Sequence, residues 1–329
     1  TLIYLSIVGG LYFTAYTLVA APYNALIPDL ATNKEERLNL STMQSTFRLI
    51  FTGIAMVLPG ILISKLGMVN GVMNTEVGIR KTVILITILS VLGIYACIFF
   101  LKEKQLTQNR PKTESLGFMK SVSHLKDKEI ILYFLGYFFF FCGFNILRGD
   151  LTYYLSAVMQ KDIKFLTVIS VILFGMAGLF FPITNKFGKK YSYKKILIVD
   201  MLLLIVGTFG LLFINKNNSI LAYVFFVICG TGLSGAAFIF PQAMLSEISA
   251  KLSETKNVSL EGFMFGIQGM FLKLAFLVQQ VVQSTLLVVG NQSTEGVKGA
   301  TELGVKVTLV VALLLFAVSL FFYNLKKED

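Results

Sequence analysis

The sequence predicts an all-α integral membrane protein, and three observations predict it. Mean hydropathy is +0.75, with 55% hydrophobic and 14% charged residues, outside the range of soluble globular domains. Nine apolar runs are long enough to cross a hydrocarbon layer about 30 Å thick, which takes roughly 20 helical residues. Finally, the basic residues gather in alternate connections between those runs, as they do in polytopic membrane proteins. The runs are continuous rather than alternating, which excludes a transmembrane β-barrel.

In chain order the expected spans are Leu2 to Ile27, Phe47 to Leu66, Val83 to Leu101, Ile130 to Met159, Phe165 to Thr184, Ile196 to Ile214, Ile220 to Leu245, Gly262 to Val289 and Val305 to Phe322. Between the third and fourth lies the longest hydrophilic stretch, Lys102 to Glu129, broken by Pro111. Within it Leu116, Met119, Val122 and Leu125 recur every third residue among lysines, the pattern of a short amphipathic helix on the membrane surface, with a solvated linker as the alternative. The expected organisation is therefore a three-helix block over residues 1–102, a central loop over 103–128 and a six-helix block over 129–329.

The net charge of +11 does not point to nucleic acid, because its distribution is a topology signal. Eighteen of the 29 basic residues fall in one set of connections: Lys34 and Arg37, the Lys102 to Lys128 stretch, Lys186 to Lys195, Lys251 and Lys256, and Lys326 and Lys327. Eight fall in the other set. The richer side is expected to be cytoplasmic, which puts the C-terminus there and Thr1 outside. The chain opens on Thr1 without a basic segment or cleavage site, so a missing natural N-terminus is expected, with a processed nine-span protein as the alternative. The expected location is the cell membrane, with the lipid bilayer as partner and a monomeric state.

Catalytic chemistry finds no carriers. Cys97, Cys142 and Cys229 lie inside apolar runs, where a thiol behaves as a small hydrophobe. His124 is the only histidine, so no histidine-rich metal site can form. The hydrolase, zinc-protease and phosphate-loop motifs are absent. A non-enzymatic role without a resident cofactor follows as the expectation.

Lys273 is the most informative residue, since it stands mid-span with no acidic neighbour in sequence. A lysine at a helix centre costs about 2.5–3.5 kcal/mol on insertion, and such residues commonly mark solute or ion pathways. Gln268 lies on a shared face with it, and Gly262, Gly266 and Gly269 offer a stripe for close helix contact. Arg148 and Asp150 point to different sides of one helix, so each needs another partner. Glu247 can pair with Lys251 one turn on, and Asp200 lies shallow enough for an interfacial pairing.

Local motifs add specificity. Tyr16-Thr17-Leu18-Val19-Ala20-Ala21-Pro22-Tyr23-Asn24-Ala25-Leu26-Ile27-Pro28-Asp29, followed by Glu36-Arg37, forms the first. Pro241 to Glu247, then Glu261-Gly262-Phe263-Met264-Phe265-Gly266-Ile267-Gln268 and Lys273, forms the second. The third is Asn145 with Gly149 and Tyr153-Tyr154. In this order they resemble the glycoside-pentoside-hexuronide:cation symporter family of the major facilitator superfamily. The resemblance covers essentially the whole chain as helices four to twelve of a twelve-helix bundle. It implies sugar contacts at Tyr16, Ala20 and Asn24, a cation ligand at Thr17, and a solute contact at Asn145. A well-studied sugar-transporting member carries an aspartate where this chain has Ala20, which removes a charged acceptor for sugar hydroxyls and Na⁺.

The combined expectation is a secondary active transporter that moves a small polar solute, a sugar, glycoside or uronide, by alternating access. Na⁺ or H⁺ is the expected coupling ion, the choice between them left open. Candidate solute contacts are Lys273, Gln268, Asn145, Tyr16, Asn24 and Arg148, with Thr17 as the cation-coupling candidate. The alternatives are a carrier of lipid-like or drug-like amphiphiles and a non-transporting truncated remnant.

Overall fold

The computed structural model describes residues 2–31, 33–69, 72–100, 114–115, 122, 127–161, 165–256, 258–290 and 299–325. Its helices are α1 (Leu2–Ala25), α2 (Ile27–Leu30), α3 (Lys34–Leu66), α4 (Thr75–Phe100), α5 (Lys128–Tyr153), α6 (Phe165–Lys190), α7 (Tyr193–Leu211), α8 (Leu221–Leu233), α9 (Phe240–Lys256), α10 (Glu261–Leu286) and α11 (Glu302–Leu325). Among the described residues, each of the nine apolar runs lies mostly on helix. Among the described residues six helical segments are long and apolar enough to cross a membrane: 75–100, 128–158, 165–190, 221–255, 261–286 and 302–325. The surface-helix segment expected from Leu116, Met119 and Leu125, and His124, lie outside the described residues.

Helix ends run past the apolar runs because capping residues sit outside them. Asp127 caps α5 by accepting from the Glu129 backbone N–H at 3.2 Å, and Ser192 caps α7 by accepting from that of Lys194 at 3.2 Å. α3 starts at Lys34, well ahead of Phe47, with Glu35 and Glu36 in its positive first turn.

Proline shapes the region between α8 and α9. Helix α8 passes through a π-helical turn, Ser234–Ile239, into α9. Pro241 lacks an N–H, and its ring would clash with the carbonyl four residues earlier, so a wider turn just before it lets the helix continue.

The chain forms two compact units, residues 1–42 with 113–329, and residues 43–112. The smaller unit contains the later part of α3 joined to α4 by a short antiparallel hairpin, Met68–Val69 with Val72–Met73. A Cβ on Gly78, in the first turn of α4, would lie 2.5 Å from the Ile63 carbonyl oxygen of α3, so the two helices meet this closely only with glycine there.

In the larger unit α5 is the central helix. Its aromatic residues Tyr133, Phe134, Tyr137, Phe140, Phe141 and Phe144 are buried. They stack on Phe271 of α10 and on Phe316 and Tyr323 of α11. α11 packs closely along α5 because glycines meet its rings: a Cβ on Gly143 would stand 2.8 Å from the Phe316 ring and 3.0 Å from the Ala312 carbonyl. Ser319 Oγ donates to the Gly136 carbonyl at 2.7 Å. α7 and α8 pair, α8 also meets α6, and α10 meets α5 on one side and α1 on the other.

Gly143→Ala is expected to cost about 1–3 kcal/mol by overpacking, seen as a lower melting temperature of the detergent-solubilised protein. Gly93→Ala on α4, where an added Cβ meets nothing within 4 Å, is the control and leaves melting unchanged.

Candidate functional site

Lys273 projects from α10 to α1. Its Nζ donates to the Phe13 carbonyl at 3.0 Å and to Thr17 Oγ1, and lies 5.9 Å from the centre of the Phe13 ring. The Thr17 hydroxyl in turn donates to the same Phe13 carbonyl at 2.7 Å. Among the described residues no carboxylate reaches Lys273, so its charge is met by uncharged acceptors and an aromatic face. Thr17 belongs to the face of α1 that carries Phe13 and Ala20. Tyr16, beside it, is exposed, and Asn24 is half-buried.

The glycine stripe of α10 does not pack. A Cβ at Gly262, Gly266 or Gly269 would meet nothing within 4 Å, which corrects the expectation of close helix contact there. With spacings of four, three and four, these glycines share one face with Lys273. That face is open, and Lys273 stands along it.

Gln268 faces another way. It is buried, and its amide donates to the Tyr133 hydroxyl at 2.7 Å and to the Pro241 carbonyl at 3.3 Å, while Tyr133 Oη itself donates to Pro241 O at 2.6 Å. The amide thus braces α5, α9 and α10 around the proline carbonyl.

Asn145 is 2% exposed, and its Nδ2 has no hydrogen-bond partner among the described residues. It shares a face of α5 with Phe138, which stacks near Phe271 of α10, and with Gly149, over which the Gln279 and Gln283 amides lie. One turn further, Asp150 is buried and accepts from Gln283 Nε2 at 2.8 Å and Thr308 Oγ1 at 2.6 Å. Arg148 is exposed, so the two residues find different surroundings, as their spacing requires. Tyr154 is buried and donates to the Leu211 carbonyl at 2.8 Å, a bond between the end of α5 and α7, whereas Tyr153 is exposed.

Asp200 also departs from expectation. It is 6% exposed, and its Oδ2 is buried against Gly235 of the π-helical turn with no hydrogen-bond partner among the described residues, so it does not lie at an interface. Gly235 permits this approach, since a Cβ there would fall 2.0 Å from Asp200 Oδ2.

One end of the larger unit gathers residues from connections of the basic-rich set. Glu247 meets Lys34 at 3.3 Å on a different helix, Lys189 meets Glu35 at 2.9 Å, and Tyr193 Oη donates to the Lys34 carbonyl. Asn185 Nδ2 donates to Thr42 Oγ1 at 2.7 Å and Asn39 Oδ1 at 3.2 Å. Residues 34–42 are thereby fastened to residues 185–193 and 247. The cross-helix ion pair of Glu247 was not legible in the sequence, where Lys251 is its visible neighbour.

Long apolar helices, two of them joined by a cationic side chain, make this a multi-pass membrane protein. The sequence matches the MFS/sugar transport protein family over residues 1–327, and the chain belongs to that family. Its fold is similar to FucP, a major facilitator superfamily transporter crystallised in the outward conformation, with a TM-score of 0.69 and 12% identity over 94% of this chain and 73% of that one. It is also similar to an asparagine-to-alanine variant of the E. coli fucose:proton symporter FucP, with a TM-score of 0.68 and 14% identity over 94% of this chain and 74% of that one. No curated protein sequence matches the chain.

If Gln268 is a brace, Gln268→Leu lowers the melting temperature by the equivalent of about 1 kcal/mol and leaves the KM for solute uptake unchanged. A raised KM with unchanged melting would instead make the amide a solute contact.

Proposed function

We propose that this protein is a secondary transporter of small polyhydroxylated solutes, with sugars bearing a carboxylate as the preferred class. The observation that carries the reading is Lys273, a mid-span cation that meets, among the described residues, uncharged partners, the Phe13 carbonyl and ring and the Thr17 hydroxyl, on an open face of α10. An unneutralised ammonium in a low-dielectric bundle draws a negative group, and a sugar acid supplies both the carboxylate and the hydroxyls. Thr17, Tyr16 and Asn24 are assigned as polar contacts on α1 beside it, Asn145 as a further polar contact offered from α5, and Arg148 as a steering charge at the exposed end of α5. Family membership supports sugar as the solute class, and the likeness to a fucose:proton symporter is compatible with H⁺ as the coupling ion.

Mechanistically, the three-helix and six-helix blocks rock about this site. The contacts of Lys34, Glu35 and Asn39 with Glu247, Lys189 and Asn185 fasten α3 to α6 and α9 at the end that the charge distribution assigns to the cytoplasm. Solute bound at Lys273 withdraws the ammonium from Thr17, loosening the α1 to α10 link and allowing those contacts to part. Such a change is driven only by the difference in solute affinity between the two states.

The test is uptake of labelled uronides, glycosides and pentosides into proteoliposomes. Uronide uptake is expected to exceed that of neutral pentosides, and Lys273→Ala to reduce it by tenfold or more, equivalent to at least about 1.4 kcal/mol of lost solute interaction. Lack of movement of every solute on the panel by the wild-type protein would overturn the sugar reading. Preference for neutral glycosides that survives Lys273→Ala would overturn the role given to the lysine.

A further inference from the structure

Asp150 is a carboxylate deep in a membrane-spanning helix, 1% exposed, with no cation beside it among the described residues. Its partners are neutral: Gln283 Nε2 at 2.8 Å on one oxygen and Thr308 Oγ1 at 2.6 Å on the other. Gln283 is fixed in turn by Gln279, whose Nε2 donates to Gln283 Oε1 at 2.7 Å. Gly149 makes room for both amides, since a Cβ there would lie 2.4 Å from Gln283 Nε2 and 2.7 Å from Gln279 Nε2.

The Thr308 hydroxyl has a second neighbour, the Val305 carbonyl at 2.8 Å. A hydroxyl carries one proton but can accept as well as donate. With Asp150 ionised, Thr308 donates to the carboxylate. With Asp150 protonated, the acid donates to Thr308, and Thr308 turns its proton to Val305 O. Gln283 continues to donate to the other oxygen in both states. The cluster therefore satisfies its hydrogen bonds whether or not the proton is present, without moving a heavy atom. A purely structural carboxylate would gain nothing from such a reversible acceptor, and a buried carboxylate meant to stay charged would need a cation.

The charged and titratable groups on neighbouring elements do not supply one. On α11, Lys306 is held by Glu302 at 2.7 Å, and Tyr323 lies towards the opposite end. On α10, Lys273 is ten residues before Gln283, about 15 Å along the helix, and turned to α1. On α5 itself Arg148 is exposed, Cys142 is two turns away, and Tyr133 and Tyr137 are further still. Tyr154, in the π-helical turn ending α5, spends its hydroxyl on Leu211. On α6 and α9 the charged residues, Lys186 to Lys190 and Glu247, lie at the basic-rich end.

We propose that Asp150, with Thr308 and Gln283, forms a proton-binding site between α5, α10 and α11. Proton binding itself is independent of the transport reading; its use in coupling rests on that reading. The reaction is simple addition of a proton to Asp150 Oδ2 and its release to water, with no other bond made or broken. Because the site joins three helices, protonation replaces the charge-assisted bond from Thr308 on α11 to Asp150 on α5 with a neutral bond of opposite direction, and the weaker link can be coupled to a conformational change.

The test is infrared difference spectroscopy of the purified full chain in lipid nanodiscs, titrated from acidic to alkaline pH. A protonated-carboxyl stretch is expected that persists above the ordinary aspartate range and disappears in Asp150→Asn. Thr308→Val, which keeps the carboxyl but removes the donor to its ionised form, is expected to shift that titration to higher pH. An Asp150 carboxylate that stays ionised across the whole range would overturn the proposal, and so would a titration unmoved by Thr308→Val. A titrating Asp150 in a protein that moves none of the sugar panel would leave the proton site standing and remove the transport reading.

Discussion

A charge in hydrocarbon must find its partners within the protein, and at Lys273 that constraint ties two distant parts of the chain together. The ammonium is on α10, and its acceptors are 256 and 260 residues earlier, on α1. Neither acceptor is charged, so the lysine is satisfied geometrically while no carboxylate among the described residues compensates its charge. A bond of that kind can be exchanged. A carboxylate replaced by solute would lose a strong ion pair, but a hydroxyl and a carbonyl lose only ordinary hydrogen bonds when a better acceptor arrives.

The rest of the larger unit holds this exchangeable contact on a rigid support. α10 is fixed on its other side by Gln268, Tyr133 and Pro241, then by Phe271 in the aromatic face of α5, then by Gln279 and Gln283 above Gly149. α11 closes against α5 through Gly136 and Gly143. The same helix thus has a packed face, which cannot yield, and an open face with Gly262, Gly266, Gly269 and Lys273. The division explains how one helix can both position a site and leave it accessible.

The helices were legible because apolar runs of this length have no other way to satisfy their backbone in a bilayer. Their ends were less so: α3 starts well before its apolar run because Lys34, Glu35 and Glu36 form a first turn that hydropathy does not register. Lys273 stood out on cost alone. The glycines of α10 misled, since a small side chain serves close packing and open space equally well, and spacing cannot separate the two. Asp150 was recognisable as needing a partner, but Gln283 and Thr308 lie 133 and 158 residues away, and nothing local marks them. Tyr133 carried no signal at all among so many aromatic residues, although its hydroxyl organises three helices.

The pair Asn39 and Asn185 tests the proposed alternating access most directly, since the two side chains are 3.2 Å apart where α3 meets α6. Spin labels at these two positions, in a background with Cys97, Cys142 and Cys229 replaced by alanine, give their distance distribution in nanodiscs. The account predicts a short separation without solute and a second, longer population when a transported sugar acid is added, absent in a Lys273→Ala background. A single short distance, unchanged by any solute that the protein demonstrably transports, would contradict it.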